Sequence, residues 1–105
     1  MKKTGIELIA DERKEQIEKH NFDLERDKEL NNDEQLAQAA IFVLTQDPLD
    51  YPKDWDLWFY DAIRLKGDTL EADIKKLAIA GALIAAEIDR LQALTPQPIG
   101  DNFNK

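Results

Sequence analysis

Chemistry in this chain has to come from carboxylates, one histidine and a few arginines. Of its 105 residues, 22 are Asp or Glu and 14 are Lys or Arg, with one His and no Cys. Without cysteine there is no disulfide framework, thiol nucleophile or Cys-ligated zinc. One histidine cannot make an HExxH site, and the chain contains no serine for a serine triad. What remains is oxygen chemistry. Mg²⁺ takes oxygen ligands, and helical proteins supply them from facing helices. Glu34, Glu87 and Asp89 are the candidate ligands, being acids that flank apolar helical runs. Their i, i+3 pairing is incomplete, because Ala37 follows Glu34 at that spacing and Arg90 follows Glu87. The commoner role for acids beside an apolar stripe is a solvated flank.

Arg13 and His20, with Gln16 between them, lie 3 or 4 residues apart and fall on one helical row. A guanidinium and an imidazole on one face can bind a phosphate or a carboxylate. The plainer role for His20 is to end a helix favourably with its dipole. The stem of Arg13 points toward the core, which predicts an ion pair with Glu34 or Glu87. Tyr51, Trp55, Trp58, Phe59 and Tyr60 could stack a nucleobase, but Lys53 is the one basic residue among them. Packing as a lid over the end of a helical core is the commoner use of such a cluster. Gly5, Gly67, Gly81 and Gly100 form no phosphate-cradling loop.

The net charge of −8 opposes general DNA or RNA binding, since no basic face can supply phosphate contacts. With 43% hydrophobic and 34% charged residues the chain is too apolar to be wholly disordered. Its longest uncharged apolar run is Leu77 to Ala86, well short of the roughly 20 residues a membrane span needs. The lysines at the N-terminus are followed by too short an apolar stretch for a signal peptide. A cytoplasmic protein is therefore expected, with neither membrane nor nucleic acid as partner.

Those side chains have to be held by helices. Thr4 and Glu7 form a T-x-x-E capping box that opens the first helix, whose apolar stripe is Ile6, Ile9, Ala10 and Ile17. Phe22–Asn31 reads as a polar connection. A second helix starts near Asn32, with Asn32 and Gln35 as its cap, and Asp47-Pro48 ends it. Trp55, Trp58, Phe59, Ala62 and Ile63 predict a short aromatic-rich helix. The last helix begins at an Asp68/Glu71 cap. There Leu70, Ile74, Leu77, Gly81, Ile84, Ile88 and Leu91 repeat with spacings of 4 and 3, the a/d pattern of a coiled coil. Its middle is apolar all round, so this helix should be central or shared with a second subunit. Leu77, Gly81, Ile84 and Ile88 are the candidate interface. The fold class is all-α, a small bundle of three main helices plus the aromatic-rich one. One domain should span residues 1–94, with a loose tail over 95–105.

Glu7-Leu8-Ile9-Ala10-Asp11-Glu12-Arg13 with Gln16-Ile17-Glu18-Lys19 resembles small uncharacterised proteins of tailed bacteriophages and prophages. So do Glu25-Arg26-Asp27, Glu34 to Ala40, and Ala80 to Leu91. The resemblance covers most of residues 6–91 and implies no established activity. It departs at Arg26 and Lys28, where that family commonly carries a His and an acid. Glu34 to Ala39 is also similar to the E-L-A-E-A helix of MazG-like all-α nucleotide pyrophosphohydrolases. That similarity implies Mg²⁺ held by carboxylates of two helices, activating water against a nucleoside triphosphate.

The favoured expectation is a non-enzymatic helical protein, without a cofactor, that acts by self-association as a homodimer or by binding a host or phage protein. The alternatives are a divergent Mg²⁺-dependent pyrophosphohydrolase and a non-catalytic nucleotide-binding module. The pyrophosphohydrolase places Glu34, Glu87 and Asp89 around the metal and Arg13 on a phosphate; the nucleotide-binding module uses Arg13 with the aromatic segment.

Overall fold

Helix formation begins at Thr4, where the capping box closes in both directions. The Glu7 amide donates to Thr4 Oγ1 at 3.2 Å, and the Thr4 amide donates to Glu7 Oε1 at 2.9 Å. Two amides that a helix start leaves orphaned are thereby satisfied. The computed structural model describes residues 2–20, 34–53, 55, 60 and 69–94. Over these the chain forms α1 (Gly5–His20), α2 (Gln35–Thr45), a 3₁₀ turn (Pro48–Asp50) and α3 (Leu70–Ala93). There is no strand among the described residues, and the all-α class holds. The connection at Phe22–Asn31, most of the aromatic-rich helix and the tail over 95–105 lie outside them.

Two of the expected caps are made differently. The lead residue of α2 is Glu34, in the left-handed region at φ 64°, and it makes no side-chain cap bond. Gln35 is thus the first helical residue, and Asn32 lies outside the described residues. For α3 the cap is Thr69, whose Oγ1 accepts from the Ala72 amide at 3.1 Å. A threonine in extended conformation directly before the helix serves better here than an acid one residue earlier. The helix then carries Glu71 and Asp73 in its first turn and Arg90 in its last, signs that suit the dipole.

The end of α2 comes at Thr45, before the proline is reached. Gln46 turns left-handed at φ 56°, its amide donates to Phe42 O at 2.6 Å, and its side-chain amide donates to Val43 O at 2.7 Å. Asp47 is extended, as the residue before Pro48 has to be, and accepts from the Leu49 amide at 3.0 Å.

Both other helices pack on α3, which makes it the central element. The core lies between α2 and α3: Leu36, Ala39, Ala40, Phe42 and Val43 meet Ile79, Ala80, Leu83 and Ala86. Phe42 anchors its aromatic end, 5.3 Å from the Tyr51 ring and 5.1 Å from Tyr60. Trp55 and Tyr60 pack against this core, the part of the aromatic lid that the described residues include.

The first helix is rotated from the orientation its isoleucines predict. Ile6, Ala10 and Ile17 face solvent and Ile9 alone of that stripe is half-buried, whereas Gln16 is the residue buried against α3. The contact is fixed by one notch and one cation. Gly81 of α3 receives Ile9, and Lys75 of α3 draws in Glu12 and Glu15. The glycine notch under Ile9 and the ion pairs of Lys75 thus set the contact in place of Ile6 and Ile17.

The capping box also sets a pH dependence. Hydrogen bonds from the Thr4 amide and hydroxyl hold the Glu7 carboxyl below its ordinary value. A depressed folded value stabilises the fold at pH above the unfolded carboxyl's range, and that contribution is lost as pH falls through the folded value. Thr4→Ala removes the hydroxyl but keeps the amide bond, so it should move the Glu7 titration only part of the way back toward the ordinary carboxylate range, read by NMR across acid pH.

Candidate functional site

Among the described residues three polar side chains are buried, two of them paired with each other. Glu87 and Arg90 keep 7% and 4% of their surface. They form a two-pronged pair one turn apart on α3, Nε to Oε1 at 2.6 Å and Nη2 to Oε2 at 3.2 Å. Gln16 of α1 donates from Nε2 to Ile79 O at 3.5 Å, while its Oε1 is buried without a partner. Of the polar row in α1, Gln16 points inward and serves the α1–α3 contact, and Arg13 is half-buried.

The proposed metal ligands are not brought together. Glu34 is exposed at the head of α2, Asp89 is exposed on α3, and both oxygens of Glu87 are bound by Arg90. Among the described residues no group of three or more His, Asp or Glu side chains is arranged to hold a metal ion. Arg90, which breaks the acid spacing in the sequence, is the residue that engages Glu87, rather than Arg13 as the stem argument predicts. Arg13 is half-buried on α1. His20 is the last residue of α1, and its side chain lies outside the described residues.

A cleft of about 330 Å³ opens beside the aromatic core, lined by Pro48, Tyr51, Pro52, Lys53, Trp55 and Tyr60. Tyr51 stands edge-on to Phe42, Trp55 and Tyr60, with ring centres 5.1–6.1 Å apart. Edge-to-face pairs of this kind are a packing geometry. A second cleft, of about 290 Å³, lies between α1 and α3 over Leu8, Ile74 and Ala78 with Asp11, Glu12 and Glu71 at its edge. Two of its acids are engaged with lysines: Lys3 donates to Asp11, which raises the Lys3 pKa, and Lys75 pairs with Glu12. Glu15 is held below its ordinary value by the hydrogen bond from Lys19.

The largest unexplained feature is apolar. On a helical projection of α3, the buried residues Ala78, Ile79, Ala80, Ala82, Leu83, Ala86, Glu87 and Arg90 spread over a wide arc that centres on one side. The a/d row lies opposite. Leu70, Ile74, Leu77, Ile84, Ile88 and Leu91 keep 40–78% of their surface exposed. Of the candidate interface residues, Leu77, Ile84 and Ile88 are thus outward, whereas Gly81 is occupied from within the chain by Ile9. Ala78 and Ala82, small residues that would admit a partner backbone, are spent under the chain's own helices. Ile9 is the contact that the spacing did not reveal; its signal is the lone glycine in a row of leucines and isoleucines.

Compared with protein-family models, with curated proteins and with solved structures, the chain matches none. No helix among the described residues is long and apolar enough to cross a membrane.

The buried pair gives a direct test of its structural role. Arg90→Ala leaves the Glu87 carboxylate buried without its partner and should cost about 3–5 kcal/mol in urea unfolding. Glu87→Gln with Arg90→Met should recover most of that loss, because no uncompensated charge remains.

Proposed function

We propose that this protein is a non-enzymatic contact module that self-associates through the outward row of α3. The observation that carries the reading is the placement of six large aliphatic side chains, at heptad spacing, on the side of α3 opposite its core. A row of that period fits knobs-into-holes packing with another helix of the same period, and a second copy supplies one. Contiguous apolar surface of this kind on a small protein marks an interaction site.

Magnitudes favour a reversible contact. Burying the exposed half of a Leu or Ile contributes roughly 1 kcal/mol, so six from each chain contribute on the order of 12 kcal/mol. Association costs about 4–15 kcal/mol in lost freedom, which is the same order. Two chains of −8 also repel each other over most of their surfaces. Under the resemblance to tailed-phage proteins, a helix of a phage or host protein is the other occupant this row suits.

Sedimentation at micromolar concentration should show a dimer that tightens as salt rises, because screening removes like-charge repulsion and leaves the apolar contact. Ile84→Asp should yield a folded monomer. A wild-type chain that stays monomeric at low and high salt overturns the reading.

A further inference from the structure

We propose that Ile9 of α1 supplies the missing central side chain of the α3 row, so that the surface meeting a second copy of this chain is built from two helices. The inference rests on the self-association reading and goes beyond it, because it assigns α1 to the interface.

The row runs through seven positions, of which six are Leu or Ile and the middle one is Gly81. A helix that pairs through such a row would meet a gap at its centre, and unfilled volume in a packed contact is destabilising. The gap is already filled. A Cβ built on Gly81 would lie 2.7 Å from Ile9 Cδ1 and 2.8 Å from Cγ1. The tip of Ile9 therefore sits where the side chain of residue 81 would begin. Ile9 is only half-buried there, so part of it remains available to a neighbour.

Ile9 meets α3 at the one glycine of the row, while the ion pairs of Lys75 with Glu12 and Glu15 and the Gln16 bond to the Ile79 carbonyl hold α1 beside it. An alanine at position 81 would pack against α1 in the ordinary way if α1 were slightly withdrawn. Glycine brings Ile9 down onto the α3 backbone and level with its row. The occupant is a second copy because the completed row is uncharged, runs along a 24-residue helix, and repeats the same spacing in each chain. On a chain of net charge −8 it is the surface on which like copies can meet without repulsion.

The test compares dimer dissociation constants of full-length variants by sedimentation equilibrium. Ile9→Ala should weaken the dimer by at least about tenfold. Ile9→Ala with Gly81→Leu, which returns a side chain to the row from α3 itself, should restore most of that affinity. Loss of α1 folding is separated by the same pair, since both variants lack Ile9 and a purely structural effect would leave both weak. Ile9→Ala with an unchanged dissociation constant, or no recovery in the double variant, overturns the inference. If Ile84→Asp still breaks the dimer in that case, the self-association reading stands alone. A monomeric wild type, or a dimer indifferent to Ile84→Asp, removes both.

Discussion

A helix without a polar side has to be covered all the way round, and between Leu77 and Ala86 α3 is such a helix. The arrangement of the described chain follows from that constraint. α2 covers one side with its most apolar residues and builds the core around Phe42. α1 covers another with a mixed, largely polar face. The third side holds the a/d row, which the described chain leaves outward. Small residues at Ala78, Gly81 and Ala82 let the neighbours come close, so that two helices fit where larger side chains would admit one.

Burial in this structure is uneven, and the unevenness orders its parts. The α2–α3 contact excludes water around aliphatic and aromatic side chains and dominates stability. The α1–α3 contact buries Gln16 with an unpartnered Oε1, and leans on Lys75 with its two glutamates. Exposed ion pairs contribute little and an unmet buried acceptor costs. α1 is accordingly the less firmly held helix, kept in register by its capping box and by the fit of Ile9 over Gly81. The buried Glu87–Arg90 pair contributes in a different sense. Its geometry answers two desolvated charges, which makes it costly to break rather than strongly stabilising in itself.

What could be read from the residues was mostly local. The Thr4–Glu7 box, the run from Gln35 to Thr45 and the long last helix were legible because each depends on neighbours within a turn or two. The rotation of α1 was not legible, because its spacing favoured Ile6 and Ile17 while a glycine 72 positions along from Ile9 set the contact. Glu87 and Arg90 are legible as an acid and a base one turn apart, a spacing that suits an ion pair within one helix. The a/d row was legible as a row. Which side it faced depended on how the alanines and Ile79 of the same helix were used, a tertiary matter that periodicity alone does not decide.

The two apolar demands of α3 also bear on why the acids do not assemble. A Mg²⁺ site needs carboxylates projecting into a shared space between helices, with no competing cation at hand. Here aliphatic and aromatic packing fills the contact between α2 and α3, and the acids beside the α1–α3 cleft, Asp11 and Glu12, are paired with Lys3 and Lys75. The carboxylate that does reach the interior, Glu87, meets a guanidinium one turn away on its own helix. Among the described residues, Glu34 and Asp89 stay exposed. On a chain of net charge −8, an uncharged apolar row is a place where like chains can touch with little repulsion. If like chains meet along that row, the contact also covers the part of Ile9 that α3 leaves exposed, so association would tighten the less firmly held helix as well.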